Sequence, residues 1–144
     1  MYLLDSNIYI RAFLEPGFGT ELHSFHRGHL GQLVLSAVVA SEILVGAATP
    51  ARERAVRLGL VEPFRTRRRF HTPSWTTWDR ATAIDRRLRR KGGMTSSLAQ
   101  RSFFNDILIA ASARELGATI VTLNRADFQI IGAAVDIEAI GPWP

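Results

Sequence analysis

The chain has no cysteine and only one lysine, Lys91, among its 144 residues. Without cysteine there can be no disulfide, no thiolate metal site and no cysteine nucleophile. A cytoplasmic location fits that composition. Long apolar runs are missing too. The most apolar stretch, Leu33 to Ala48, is 16 residues long and contains Glu42, whereas a membrane-crossing helix needs about 20. Asp5 interrupts the N-terminal stretch, so nothing there resembles a secretory signal. There is no internal repeat and no Gly-rich phosphate loop, and Ser36 and Ser112 stand in no recognisable catalytic-triad context. A soluble protein with one domain over residues 1–144 is expected at this length.

What is abundant is arginine. Basic residues number 18 against 13 acids, for a net charge of +5, and all but Lys91 are arginine. The guanidinium fork pairs bidentately with phosphate, so a basic, arginine-rich chain points to an anionic partner such as a nucleic acid. Two clusters are candidates for a phosphate-binding rim: Arg65, Arg67, Arg68 and Arg69, flanked by Phe64 and Phe70, and Arg86, Arg87, Arg89 and Arg90, next to Lys91. Asp85 is placed to pair with Arg89, and Glu53 with Arg57, at i,i+4 spacing. Phe64, Phe70, Trp75 and Trp78 are expected as core or dimer contacts. His23, His26 and His29 recur at i,i+3, but a zinc site wants a tighter constellation.

The pattern of the chain alternates short apolar runs with helical periods. Strands are expected at Tyr2–Leu4, Gln32–Leu35, Gly59–Phe64, Ala118–Thr122 and Val135–Ile140, the last at an edge. Helices are expected at Ile8–Leu14 (stopping near Pro16), Glu21–Leu30, Ser36–Gly46 with Ser36 as cap, and Arg52–Leu60. Further helices are expected from Ser74 to Gly92-Gly93, over Phe103–Leu116 with Gly117 as the stop, and near Ala126–Ile130. Short apolar strands between helices argue for a parallel sheet covered on both faces. In such sheets ligands bind beyond the carboxyl ends of the strands.

Four acids draw attention under that rule. Asp5 follows the first strand. Glu42 has the non-polar neighbours Val38, Val39, Val45 and Gly46 one helical turn away, and a carboxylate there needs a partner or a cation. Asp106 is followed at i+3, i+4 and i+7 by Ile109, Ala110 and Ala113. Asp127 sits in the loop after the fourth strand. Each has an ordinary alternative: an Asx turn or cap at Asp5 and Asp127, an arginine salt bridge at Glu42, and a helix-dipole acid at Asp106. Together they suit Mg²⁺ or Mn²⁺, hard cations that relieve the repulsion of crowded carboxylates.

Leu3-Leu4-Asp5-Ser6-Asn7 resembles the opening motif of PIN domains. Ser41-Glu42-Ile43-Leu44-Val45-Gly46 is similar to their second motif, and the run from Asn105 to Ala113 to their third. Thr122-Leu123-Asn124-Arg125-Ala126-Asp127-Phe128 resembles the fourth. The ordered set covers residues 1 to about 140 and is similar to the compact VapC toxins of bacterial toxin–antitoxin pairs.

That resemblance implies an α/β fold, a three-layer α/β/α sandwich around a mainly parallel five-stranded sheet. It implies Mg²⁺- or Mn²⁺-dependent hydrolysis of RNA. Asp5, Glu42, Asp106 and Asp127 would form the acidic quartet, with Asp5 and Asp106 the direct metal ligands. Asn7, Thr122 and Asn124 would orient the acids or bound water. A small antitoxin whose tail brings Arg or Lys into the acidic groove is implied, and so is a homodimer. Ser6 stands where many relatives have Thr, and Met94–Phe104 looks longer than the usual connection. The alternatives are an RNA-processing PIN nuclease outside any toxin–antitoxin pair, a non-catalytic RNA-binding module and a phospho-accepting receiver domain. The receiver reading wants a lysine at the pocket, and Lys91 instead ends a helix.

Overall fold

The computed structural model describes residues 1–92 and 101–143. Its centre is strand β1 (Tyr2–Leu4), paired in parallel with β2 (Leu33–Ser36) on one side and β4 (Thr119–Val121) on the other. Two-residue strands β3 (Phe70–His71) and β5 (Ala139–Ile140) close the edges, giving the order β3-β2-β1-β4-β5 with every pairing parallel. Leu3, Leu4 and Leu35 have no solvent exposure, and Ile120 and Val121 none either. These strands are covered on both faces, which is why they read as continuous apolar runs rather than alternating ones.

Helices flank the sheet. They are α1 (Ser6–Leu14), α2 (Pro16–Gly28), α3 (Ala37–Gly46), α4 (Pro50–Val56), α5 (Glu62–Thr66), α6 (Trp75–Gly92), α7 (Arg101–Leu116) and α8 (Arg125–Gly132). Together with the sheet they make the expected α/β sandwich. Helix α7 is the internal one. Phe103, Ile107 to Ser112 and Ala113 are all buried, so it is apolar around most of its circumference, as a core helix should be. Gly117 ends it at φ +62, with the Ala118 N–H bonded to the Ala113 carbonyl at 2.9 Å. That left-handed turn is cheap only for glycine.

Several boundaries differ from the sequence reading. Pro16 starts α2 rather than ending α1, because a missing N–H costs nothing in a first helical turn. The strand expected at Gly59–Phe64 is helical instead. Arg57–Val61 form a π-helical turn that runs into α5. Pro63 explains this, since it cannot donate to a ladder but fits the first turn of a helix. The third strand falls later, at Phe70–His71. The last strand is shorter than Val135–Ile140 and does lie at an edge. Arg101 to Phe104 belong to α7, and the rest of the Met94–Phe104 connection lies outside the described residues, as does Gly93. The ion pairs Arg57–Glu53 (2.9 Å) and Arg89–Asp85 (2.8 Å) form as expected.

His26 within α2 and His29 at its C-cap do separate jobs. His29 bonds the Phe25 carbonyl through Nδ1 at 2.9 Å and packs on Tyr2 and Phe25. His26 is wedged edge-on between Tyr9 and Phe64, and its buried Nε2 has no hydrogen-bond partner among the described residues. Burial, with a smaller push from His23, lowers its pKa to about 4. The unfolded chain therefore holds a proton that the folded one lacks between about 6.5 and 4, so this residue removes stability as pH falls through that window. His26→Phe should gain on the wild type by about 1–3 kcal/mol at the acid end and by little near pH 7. Denaturant titrations of both proteins across that range read the difference.

Candidate active site

The strand order sets the place of the site. From β1 the chain adds β2 and β3 on one side, then returns to add β4 and β5 on the other. The reversal leaves a crevice at the carboxyl ends of β1 and β4, where ligands bind in sheets of this kind. Asp5 directly follows β1 and Thr122 directly follows β4.

Asp5 is only 2% exposed and is held from three sides. Its Oδ1 accepts from the Ser6 N–H at 2.7 Å, which caps α1. Its Oδ2 accepts from Asn7 Nδ2 at 2.6 Å and from the Thr122 hydroxyl at 2.7 Å. The capping alternative is thus correct and coexists with the site. Thr122 Oγ1 in turn accepts from Asn7 Nδ2 at 3.2 Å and from the Asn124 N–H at 2.9 Å. One donor and two acceptors exhaust a hydroxyl. Asn7 completes the bracket by accepting the Leu123 N–H on Oδ1 at 3.1 Å. The residues expected to orient the acids therefore touch them directly. Asn124 also donates to Asp127 Oδ2 at 2.8 Å, fixing that acid in the first turn of α8.

Glu42 projects from α3. Its Oε1 accepts from Asn105 Nδ2 at 2.9 Å, and its Oε2 is buried with no donor among the described residues. Among the described residues no arginine pairs with it. The expected apolar surround is only half right. Val39 is fully buried, but Val45 is 85% exposed. What holds Glu42 is Asn105, which the sequence marks only as the first residue of the third motif. The available signal was an amide immediately before Asp106 in an otherwise apolar helix. Asp106 itself lies in the second turn of α7, five residues after Arg101, so the first-turn dipole alternative does not describe it.

The four acids share one electrostatic field. Burial raises the pKa of Asp106 to about 8, helped by the charges of Asp5, Glu42 and Asp127 in that order. Burial also raises Asp5. The Thr122 and Ser6 hydrogen bonds pull it down, and Glu42 adds a smaller upward push. Among the described residues, however, no three His, Cys, Asp or Glu side chains are arranged to hold one ion as they stand. The donor set still suits a hard divalent cation, since it is all carboxylate oxygen, with one buried oxygen unpartnered on Glu42 and with Asp106 pushed toward its protonated form by burial and then by the neighbouring acids. The acids are brought together as a repulsive cluster, not as a finished ligand shell.

The arginine clusters fall in different places. Arg67, Arg68 and Arg69 lead into the amino end of β3, away from the carboxyl ends where Asp5 lies, and Arg65 pairs with Glu62 at 3.0 Å. Arg86, Arg87 and Arg90 are exposed on α6, and Arg89 is half-buried against Asp85. Phe64 and Phe70 pack on the core as expected. Trp75 does not, being 78% exposed, and Trp78 is 43% exposed.

Comparison with known proteins agrees with this layout. The chain resembles the structure of FitAB bound to an IR36 DNA fragment (20% identity, 100% of this chain and 96% of that chain, TM-score 0.73). It also resembles DNA-bound VapBC from Salmonella typhimurium (22%, 97% and 96%, TM-score 0.72) and VapBC-1 from nontypeable Haemophilus influenzae (22%, 97% and 96%, TM-score 0.65). At such identities the likeness concerns the fold. None of the curated proteins compared with it gives a match. The PIN domain family model matches residues 2–133, and the chain belongs to the PIN domain family.

Proposed function

We propose that the protein is a VapC-like toxin, a metal-dependent endoribonuclease that a small antitoxin neutralises. The observation that carries this reading is the gathering of Asp5, Glu42, Asp106 and Asp127 beside the carboxyl ends of β1 and β4, where burial first, and then the charges of the other three acids, raise Asp106 to about 8. Mg²⁺ or Mn²⁺, when bound, supplies charge stabilisation at the phosphoryl oxygens and a more acidic water.

The chain's own residues do the positioning. Ser6, Asn7 and Thr122 hold the Asp5 carboxylate as a fixed acceptor. Asn105 turns one oxygen of Glu42 aside and leaves Oε2 free to accept. Asn124 fixes Asp127. In the hydrolysis, a water oxygen bonds to phosphorus, the bond from phosphorus to O3′ breaks, and the 3′ oxygen takes up a proton. The products are a 5′-phosphate and a 3′-hydroxyl.

An antitoxin partner is supported by two observations. The structural neighbours above are described as VapBC and FitAB assemblies. An apolar groove of about 720 Å³ also runs along α1, α2 and α4, with Ile10, Phe13 and Leu14 exposed in its wall, an exposure that suits a partner chain. A cationic side chain from that partner entering the acidic cluster would oppose the metal.

Incubating purified protein with cellular RNA and Mn²⁺, then mapping the ends, tests the reading. Discrete cuts bearing 5′-phosphates, absent with a chelator, are expected. No cutting in any divalent metal would sink it. Growth arrest on expression, relieved by a small neighbouring gene product, separates the toxin reading from an RNA-processing nuclease with the same site.

A further inference from the structure

Helix α6 carries a surface that neither the core nor the acidic site uses. Thr77, Ala81, Ile84 and Leu88 are buried and form its inward face. At 100° per residue the opposite face presents Trp75, Asp79, Thr82, Arg86 and Arg90, with Trp78 at its margin. All six are exposed. Trp75 at 78% exposure is the largest apolar side chain left so open to water, and an exposed large apolar group is the informative case on a protein surface. Trp78 leans on Phe104, with ring centroids 5.9 Å apart and planes inclined by 32°. Phe104 immediately precedes Asn105, which holds Glu42, and Asp106. The aromatic end of the stripe is thus one ring away from the segment that builds the acidic cluster.

The other end is cationic. Arg86 and Arg90 sit at i,i+4, a like-charge spacing that weakens a helix. Arg90 Nε bonds only the Arg86 carbonyl, at 3.3 Å, and no described carboxylate pairs with either guanidinium. Asp79 is the one acid on this face. Exposed indole rings next to unneutralised arginines are the two components of a single-strand binding surface: flat faces for unpaired bases and cations for phosphates. A duplex hides its base faces and cannot use the first component. Tryptophan and arginine also mark protein interfaces, and the oligomeric-state arm of the test below separates that occupant from RNA.

Resting on the ribonuclease reading, we infer that the Trp75–Trp78–Arg86–Arg90 stripe of α6 binds unpaired RNA. Bases stack on the tryptophans and the backbone runs over the arginines. Trp75 and Trp78 are positioning residues for substrate, not participants in the chemistry.

The test is equilibrium binding of a fluorescein-labelled, unstructured RNA oligonucleotide by fluorescence anisotropy, in EDTA so that no cleavage occurs. Trp75→Ala is expected to weaken binding about tenfold, the size of one lost stacked base. Trp75→Phe should recover most of that, and Arg86→Ala should lower the salt dependence by about one phosphate contact. A duplex of the same sequence should bind more weakly and be indifferent to Trp75→Ala. Unchanged single-strand affinity in Trp75→Ala overturns the inference. So does a shift from dimer to monomer on sedimentation of that variant with RNA affinity retained, which would make this face a contact between two copies. A separate assay of cutting with Mn²⁺ reports on the ribonuclease reading. Wild type that binds through Trp75 but never cuts contradicts that reading alone, and wild type that cuts without using Trp75 contradicts only the stripe.

Discussion

Asp106→Asn is expected to slow RNA cleavage by orders of magnitude and, at the same time, to raise the stability of the metal-free protein. Both effects come from one cause. Asp106 is forced to sit unpaired near three other acids in a partly buried site, and its pKa rises from 3.8 to about 8. Between those values the folded protein keeps a proton that the unfolded chain has released. Stability contributed at this position therefore declines as pH rises from about 4 to 8, and the strain is fully present above 8. An amide carries no charge to strain. The variant should be more stable than wild type by about 1–2 kcal/mol near pH 8, and the gain should shrink toward pH 4. Cleavage should fall by about 10³-fold, the scale for removing a group that stabilises charge in the transition state. Thermal melts at pH 4, 6 and 8 without metal, paired with cleavage rates in Mn²⁺, report both. A variant that is less stable at every pH would mean that Asp106 has a partner the described residues do not include.

Asp5→Asn should lose activity to a similar degree and yet move stability the other way. Asp5 receives three short hydrogen bonds from Ser6, Asn7 and Thr122. An asparagine can keep an oxygen toward only part of that set, and its NH₂ must face a donor. Leaving a buried donor unmatched costs about 1–3 kcal/mol. Urea titrations should show Asp5→Asn destabilised by about that amount near pH 7. The opposite signs separate the two acids: Asp5 is built into the fold as a cap and bracket, whereas Asp106 is tolerated by it. Asp5→Asn as stable as Asp106→Asn would contradict that division.

Much of this arrangement was legible in the sequence because the physics was local. Leu3-Leu4 and Ile120-Val121 read as buried strands since both faces are covered, and the residue after each strand then falls at the ligand side by topology alone. Ser36 caps α3 and Gly117 stops α7 for reasons carried by one residue each. Where the deciding contact was remote, sequence failed. Nothing near Gly59–Phe64 says that Val61 and Leu60 are buried from a helix rather than a strand, except Pro63, which cannot donate to a ladder but fits the first turn of a helix. Val45 is non-polar and one turn from Glu42, but it lies on the face of α3 that is left open to water rather than on the face that carries Val39, Ala40 and Ile43 into the core. Asn105 supports Glu42 across 63 positions of sequence, a pairing no local pattern announces. Trp75 is 78% exposed and not a core residue, because its place on the outer face of α6 is fixed by helix phase and not by its own apolar character.

The central claim is that the four acids act as one divalent-cation site, although the described side chains form no ready ligand set. Calorimetric titration of Mn²⁺ into the metal-free protein at pH 6 and pH 8 tests it most directly. Binding should be tighter at pH 8, because Asp106 must give up its proton. At pH 6 the heat should depend on the buffer in proportion to the proton released. Asp106→Asn should bind much more weakly and lose the pH dependence. Mn²⁺ affinity that is absent, or that is the same at both pH values and in Asp106→Asn, would contradict the account.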